Sequence, residues 1–168
     1  MKILISDPLS EIGLTLLKDF GFECIYLPKS KNSELESMVE VVDAWIIRSG
    51  TKINHRLINI SKNLKAIGRA GVGVDNIDLD AATRKGIVVM NVPDINTISA
   101  AEHTMALLLA LSRNIYQGHH GLSKGLWNRH LLTGSELKNK KVGIIGLGKI
   151  GREVMTRCNS FGMKVLRY

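Results

Sequence analysis

The sequence is poor in the residues that stabilise small secreted proteins or cross membranes. It has two cysteines, three prolines and 5% aromatic residues in 168 positions. Cys24 and Cys158 have no CxxC partner and no nearby histidine pair, which indicates reduced thiols rather than a disulfide framework or a metal site. The longest purely apolar run, Met105–Leu111, is far shorter than the ~20 residues of a membrane-spanning helix. Asp7 interrupts the apolar N-terminus where a signal peptide would continue. We therefore expect a cytoplasmic protein with no membrane partner.

The charge balance is basic but carries no nucleic-acid pattern. Lys and Arg number 23 against 15 Asp and Glu, a net charge of +8. The basic residues are dispersed and are not interleaved with aromatic residues that could stack on bases, so we expect no nucleic-acid partner. Anionic small molecules, or an unbalanced piece of a larger chain, explain the charge equally well. With 45% hydrophobic residues, the composition is typical of a globular protein of one domain or slightly more.

Short apolar runs alternate with helical patterns over the first 93 residues. Runs without strict alternation, separated by helices that end at glycine, are typical of βα units on a parallel sheet. The predicted strands are Lys2–Ser6, Glu23–Leu27, Ala44–Arg48, Ala66–Arg69 and Ile87–Asn91. The predicted helices are Ser10–Asp19, Asn32–Val42, Asn54–Ile60 and Asp80–Lys85. The pattern predicts a doubly wound α/β domain.

A second domain is predicted to begin after Pro93. Ser99–Glu102 has the spacing of a capping box, which predicts a helix from Ala100 to about Arg113. That helix is apolar nearly all round, so we expect burial on several sides, equally as a core helix or as a subunit interface. Residues 118–134 are predicted to form a loop-rich connection. This connection contains His119, His120, Trp127 and His130.

A glycine-rich turn follows the predicted strand Lys141–Ile145. The sequence Gly146–Gly151 has the GxGxxG pattern, and a helix over Ile150–Asn159 and a strand over Met163–Tyr168 follow it. In a βαβ context this pattern favours dinucleotide binding. Gly146 permits the tight turn, Gly148 admits the pyrophosphate, and Gly151 allows close helix packing. A glycine-rich turn without a ligand is the structural alternative.

One element of the dinucleotide fingerprint is missing. The ribose hydroxyl is usually held by an acidic residue ~20 positions downstream, but Val154–Tyr168 contains no Asp or Glu. Two predicted strands are also too few for an independent sheet domain. We therefore expect the sequence to be the N-terminal portion of a longer polypeptide.

Several motifs together resemble the D-isomer-specific 2-hydroxyacid dehydrogenases. They are Gly68–Asp78, Ser99–Leu107 and Gly146–Arg152, and they appear in the family's order. Arg48–Thr51 and Ala82–Gly86 bring the chain closest to members that oxidise 3-phospho-D-glycerate. The resemblance implies a flavodoxin-like parallel-sheet substrate-binding domain over residues 1–95, incomplete without a C-terminal segment. The start of a Rossmann NAD-binding domain over residues 96–168 would follow it.

The resemblance also implies roles for particular residues. NAD would be the cofactor, and a small anionic 2-hydroxy or 2-keto acid the substrate. The implied substrate-binding residues are Arg48, Ser49, Arg69, Gly71, Val72 and Gly73. The implied cofactor-binding residues are Val72, Gly146, Gly148, Lys149, Ile150 and Gly151. Without the resemblance, surface ion pairs are the less favoured alternative for Arg48 and Arg69, and Asp75 and Asn76 are more typical of a stabilised turn.

No catalytic residue is expected within this sequence. In the family an Arg, a Glu and a His perform catalysis, and all three would come from residues beyond 168. The five histidines here have no acidic partner at a telling spacing, and no cluster has metal-ligand spacing. The resemblance further implies a homo-oligomer through the helix after Ser99.

The resemblance predicts NAD-dependent oxidation of 3-phospho-D-glycerate to 3-phosphohydroxypyruvate, the first step of serine biosynthesis, with this portion inactive alone. A glyoxylate or hydroxypyruvate reductase of the same family is the alternative within the enzyme class. A non-catalytic NAD-sensing interaction protein of the same fold, or a substrate-binding or regulatory subunit, is the alternative outside it. NAD is favoured over NADP only by the resemblance.

Overall fold

The computed structural model describes all 168 residues, which form two compact units, Met1–Ile95 and Asn96–Tyr168. Unit 1 contains a parallel sheet of five strands, which are β1 (Lys2–Ile5), β2 (Glu23–Tyr26), β3 (Ala44–Ile47), β4 (Ala66–Arg69) and β5 (Val88–Asn91). The unit arranges them in the order β2-β1-β3-β4-β5, which confirms the predicted flavodoxin-like architecture. Its helices are α1 (Glu11–Asp19), α2 (Asn32–Val39), α3 (His55–Ile60) and α4 (Leu79–Arg84).

The helices of unit 1 begin where side chains can satisfy free backbone N–H groups. Ser10, Asn54 and Asp78 cap α1, α3 and α4 by accepting hydrogen bonds from N–H groups three residues later. Ser10 and Asn54 therefore precede their helices, which corrects the predicted starts by one residue. Helix α2 ends three residues earlier than predicted, because the chain turns so that Val42 enters the core before β3 begins.

The core of unit 1 lies mainly on one face of the sheet. Leu4, Trp45, Ile47 and Ile67 alternate with residues of the opposite face, and they pack with apolar side chains of α2, α3 and α4. The opposite face carries a smaller cluster around Ile3, Ile5 and Ala44, against which α1 packs. One face is thus covered by three helices and the other by one.

Unit 2 contains a two-stranded parallel sheet and three α-helices. Its elements are α5 (Thr97–Ser112), α6 (Ile115–Ser123), a 3-10 helix (Arg129–Leu132), β6 (Lys141–Ile144), α7 (Lys149–Ser160) and β7 (Lys164–Arg167). Helices α5 and α7 pack together through Ala101, Met105, Val154 and Cys158. Burial raises the pKa of the Cys158 thiol, whose Sγ lies 3.7 Å from Met105 Sδ.

The predicted capping box at Ser99 is wrong. Helix α5 begins at Thr97 after Asn96, so Ser99 lies inside the first turn, where its hydroxyl donates to the Asn96 carbonyl oxygen. Because Ser99 already lies inside the helix, the Glu102 N–H donates to a backbone carbonyl oxygen one turn earlier and not to the Ser99 hydroxyl. The expected burial of α5 on several sides is also not seen within the chain. Only Ala101 and Met105 are buried, whereas Leu107 and Leu111 are 59% and 75% exposed.

The segment 118–134 is more helical than predicted. His119 and His120 lie on α6, and His130 lies on the 3-10 helix. Asn114 adopts a left-handed conformation with φ 53° and separates α5 from α6. Glycines 118 and 121 have low helix propensity, but Gly118 faces Leu132 closely enough that a Cβ there would be in van der Waals contact. Packing of α6 against the 3-10 helix therefore overrides the local preference.

Three features considered in the sequence can be examined in the structure: a membrane-spanning helix, a disulfide bond and a metal site. No helix is long and apolar enough to cross a membrane. Neither cysteine forms a disulfide. No group of three His, Cys, Asp or Glu side chains is arranged to hold a metal ion.

Truncation of a central sheet residue should destabilise unit 1. Ile67 is fully buried in β4, so we expect Ile67→Ala to lower the free energy of unfolding by about 2–5 kcal/mol through lost burial and cavity formation. Ile12, on α1, is 82% exposed, and Ile12→Ala is the matched control, with an expected change within ~0.5 kcal/mol. Equal effects in denaturant titrations would contradict this core assignment.

Candidate functional site

The carboxyl ends of β1, β3 and β4 lie side by side in unit 1 because these strands are parallel neighbours. Strand β1 connects to β2 on one side, and the chain then crosses to β3 on the other side. Ligands of doubly wound folds bind at this kind of switch point, outside the carboxyl ends of the strands. The loops here contain Asp7 after β1, Arg48–Thr51 after β3 and Arg69–Asn76 at the end of β4.

The loop Arg48–Thr51 wraps around the carboxylate of Asp7. The backbone N–H groups of Arg48 and Thr51 donate to Asp7 Oδ2, at 2.7 Å and 3.0 Å. A Cβ on Gly50 would collide with Asp7 Oδ1, so the close approach requires glycine at that position. Arg48, Ser49 and Gly50 are exposed, whereas Asp7 and Thr51 are buried. Asp7 therefore fixes the backbone at both ends of the loop, while the residues between them are exposed.

Two further groups hold this loop. Asn76 Nδ2 donates to the carbonyl oxygens of Arg48 and Thr51, at 2.7 Å and 2.6 Å. The hydroxyls of Thr51 and Ser6 are hydrogen-bonded at 2.8 Å, and Trp45 Nε1 donates to Ser6 Oγ at 2.8 Å. The interpretation of Asn76 as a turn-stabilising residue agrees with these contacts. Asp7 is not among the predicted site residues, although an acidic residue directly after a buried apolar strand is a usable signal.

Two arginines lie at neighbouring strand ends. Arg48 follows Ile47, which pairs with Arg69 across β3 and β4. Arg48 Nη1 donates to the Pro8 carbonyl oxygen at 3.4 Å, and neither arginine forms an ion pair with an acidic side chain. Arg69 Nε is buried without a hydrogen-bond partner. The surface ion pairs weighed as an alternative are thus not formed, and guanidinium donors remain for an anionic ligand.

The turn Gly71–Gly73 offers backbone donors beside these arginines. A Cβ on Gly71 would collide with the Arg69 guanidinium, and a Cβ on Gly73 would lie 2.8 Å from Asp75 Oδ1. Neither glycine has a positive φ, so these close approaches, and not the backbone conformation, favour glycine at both positions. The Gly71 carbonyl oxygen accepts a hydrogen bond from the Val92 N–H, and the Val72 carbonyl oxygen accepts one from Nδ2 of Asn91, the last residue of β5. The N–H groups of Val72 and Gly73 have no acceptor within the chain.

The GxGxxG turn of unit 2 has a different geometry at each glycine. Gly146 has a φ of 96°, a conformation that favours glycine. Gly148 is the N-cap of α7, and a Cβ there would meet no atom within 4 Å. A Cβ on Gly151 would collide with the Gly146 carbonyl oxygen. The turn thus combines a left-handed residue, open space at the helix N-terminus and a close helix–strand contact, which together suit a pyrophosphate group.

The net charge is unevenly divided between the units. Unit 1 has twelve basic and twelve acidic residues, whereas unit 2 has eleven basic and three acidic residues. The whole net charge of +8 therefore belongs to unit 2, the unit with the glycine-rich turn. A positive unit favours anionic ligands through long-range attraction.

Comparison with known proteins gives consistent results. The sequence model of the family described as "D-isomer specific 2-hydroxyacid dehydrogenase, catalytic domain" matches residues 3–161. The chain is 46% identical to the D-3-phosphoglycerate dehydrogenase of Methanocaldococcus jannaschii, with 100% of the chain and 32% of that relative aligned. It is also 46% identical to the D-3-phosphoglycerate dehydrogenase of Sus scrofa, with 99% of the chain and 31% of that relative aligned.

A solved structure extends the likeness to the fold. The NAD-dependent formate dehydrogenase of Staphylococcus aureus, determined in complex with NAD, superposes with a TM-score of 0.91 at 33% identity. The match covers 100% of this chain and 56% of that chain. The chain spans about a third of the length of the curated relatives.

The close contact at Gly151 should make this residue more sensitive to substitution than Gly143 in β6. We expect Gly151→Ala to lower the free energy of unfolding of unit 2 by about 1–3 kcal/mol, because the methyl group forces α7 away from the turn. A Cβ on Gly143 meets nothing within 4 Å, so Gly143→Ala is the matched control. Thermal unfolding followed by circular dichroism measures the difference, and an unaffected Gly151→Ala variant would contradict the described packing.

Proposed function

The chain belongs to the D-isomer specific 2-hydroxyacid dehydrogenase family, and on that premise we propose that it is the N-terminal portion of an NAD-dependent 3-phospho-D-glycerate dehydrogenase. The reaction is oxidation to 3-phosphohydroxypyruvate, the first step of serine biosynthesis. The observation that carries the proposal is the pair of arginines, Arg48 and Arg69, at neighbouring strand ends without acidic partners. The names of the relatives that align over the whole chain support the same substrate.

The proposed substrate has two anionic groups, a carboxylate and a phosphate. Guanidinium groups bind either group through paired hydrogen bonds, and backbone N–H groups add fixed donors. In the proposal, Arg48, Ser49 and Arg69 bind the substrate with the turn Gly71–Gly73. Binding to fixed donors of this kind orients the substrate and holds its C2–H bond in a reactive position.

NAD is the proposed cofactor, and when bound it would supply the acceptor for the hydride that leaves C2 of the substrate. Gly148 leaves open space at the N-terminus of α7, which suits a pyrophosphate. The proposed cofactor-binding residues are Val72, Gly146, Gly148, Lys149, Ile150 and Gly151. The positive charge of unit 2 favours the same anionic ligand.

We propose that the acid–base group of the reaction lies outside this sequence. None of the five histidines forms an ion pair with an acidic residue, and His120 instead stacks on Tyr116 with ring centroids 5.8 Å apart. A general base in this role needs a partner that stabilises its protonated form. The 168-residue portion is therefore proposed to be inactive alone.

Unit 1 is the proposed substrate-binding domain, and a further chain segment is proposed to complete it. A groove of about 280 Å³ runs along the sheet face that α1 covers only in part, and its lining is almost entirely apolar. The lining includes Leu16, Leu17, Ile46, Met90 and Val92. Exposed apolar faces of this kind are normally covered by another segment or partner.

Unit 2 is the proposed beginning of the NAD-binding domain. In the sheet, β6 pairs only with β7, and a hollow of about 470 Å³ lies beside β6, lined in part by Leu108, Ile144 and Ile150. The exposed apolar residues of α5, including Leu107 and Leu111, support the proposal of a homo-oligomer that pairs through this helix. We also propose a cytoplasmic location.

Removal of either site arginine should weaken substrate binding selectively. In the full-length enzyme we expect Arg48→Ala or Arg69→Ala to raise KM for 3-phospho-D-glycerate by about tenfold to hundredfold, because each loses charge-assisted hydrogen bonds. KM for NAD should change little. Arg56 pairs with Glu36 at 3.0 Å on the surface, and Arg56→Ala is the matched control. Steady-state kinetics give both constants, and unchanged KM values in both site variants would contradict the assignment.

A further inference from the structure

We propose that Asp7 is a positioning residue for the loop Arg48–Thr51, which it holds in the conformation that presents Arg48 and Ser49 to the substrate. The inference rests on the proposed function, since it assigns the loop to substrate binding. Asp7 makes no contact with the substrate in this account. It acts through the backbone of the loop, from the buried side.

The carboxylate has the geometry of a loop anchor. Asp7 is 7% exposed and lies at the carboxyl end of β1, next to β3 in the sheet. Its Oδ2 accepts hydrogen bonds from the N–H groups of both Arg48 and Thr51, the first and last residues of the loop. A buried carboxylate needs hydrogen-bond donors to compensate for its lost hydration, so the loop and the carboxylate stabilise each other.

The same two loop residues are also held through their carbonyl oxygens. Asn76 Nδ2 donates to the Arg48 and Thr51 carbonyl oxygens, while Asp7 accepts from their N–H groups. At each end of the loop, both the N–H group and the carbonyl oxygen are therefore hydrogen-bonded. Ser49 and Gly50 lie between these two fixed ends. These hydrogen bonds restrain the backbone at Arg48, so the position from which its side chain extends is fixed.

Two opposing effects predict opposite changes in substrate binding when Asp7 is removed. A negative charge near a site for anions repels the substrate, so its removal would strengthen binding if charge were dominant. Loss of the anchor frees the loop, so removal would weaken binding if positioning were dominant. Asp7 is already hydrogen-bonded to two N–H groups and buried, and the freed loop must be ordered again on binding. We infer that positioning is dominant.

The test uses the full-length enzyme with Asp7→Ala and Asp7→Asn. Asp7→Ala should raise KM for 3-phospho-D-glycerate by about tenfold or more, through loss of two charge-assisted hydrogen bonds, with KM for NAD unchanged. Asp7→Asn should restore most of the binding, because one amide oxygen still accepts from both N–H groups. A lowered KM in both variants would show that charge is dominant and would overturn the proposal.

Asp43 provides a matched control. Its Oδ2 accepts a hydrogen bond of 2.8 Å from the Lys2 N–H, at the opposite end of the sheet. Asp43→Ala removes the same kind of contact and should leave both KM values unchanged. A merely structural role for Asp7 would instead change kcat and both KM values together, which would also overturn the proposal.

A double-mutant cycle with Arg48→Ala separates this inference from the proposed function. If Asp7 acts through Arg48, Asp7→Ala should raise KM less than about twofold in the Arg48→Ala background. A large KM effect of Arg48→Ala with none from Asp7→Ala overturns only the positioning role. If Arg48→Ala has no effect on KM, the proposed function of the loop fails.

Hydrogen exchange tests the anchor without any activity. The Arg48 and Thr51 amides should exchange at least tenfold faster in Asp7→Ala than in the unsubstituted protein, because their acceptor is gone. The amides of β3 should be unaffected. Unchanged exchange at residues 48 and 51 would overturn the proposal, whatever the enzyme's substrate.

Discussion

The parallel pairing of β1, β3 and β4 is the constraint on which the candidate site of unit 1 depends. It brings three strand ends to one edge of the sheet, although the residues involved are about forty positions apart for Asp7 and Arg48. The Asp7 carboxylate can meet the loop Arg48–Thr51 only because β1 and β3 are neighbours. The turn Gly71–Gly73 lies at the same edge because it follows β4, the next strand of the sheet. The site is therefore a property of the strand order more than of any single motif.

Glycine serves a separate purpose at each position where the proposed sites need it. Gly50 and Gly71 leave room for the side chains of Asp7 and Arg69, whereas Gly151 leaves room for a backbone carbonyl oxygen. Gly148 has open space around it, which is the arrangement that a ligand would occupy. This difference separates glycines that allow close packing from one with open space beside it, in line with the separate purposes that the GxGxxG pattern predicts for Gly151 and Gly148.

Much of the fold could be predicted from the sequence because its signals are local. The apolar runs of unit 1 and the glycines that end its helices depend on neighbouring residues alone, and they predicted the elements to within a few residues. Helix α6 was missed because its glycines have low helix propensity and its packing partner lies further along the chain. The contacts of Asp7 with the loop were not predicted for a related reason, since its partners become visible only when the order of the strands is known. Arg48 and Arg69 were predicted as site residues through the family resemblance, and their lack of acidic partners could be established only in the structure.

The most direct test of the central claim is NADH formation, followed by its absorbance, with the full-length protein and a panel of 2-hydroxy acids. We expect turnover of 3-phospho-D-glycerate with kcat/KM at least tenfold above that for D-glycerate, which lacks the phosphate and so loses charge-assisted hydrogen bonds. Equal turnover of both acids, or reduction of glyoxylate and hydroxypyruvate in preference to 3-phosphohydroxypyruvate, would contradict the account. Absence of turnover with every acid in the panel would exclude the dehydrogenase function itself.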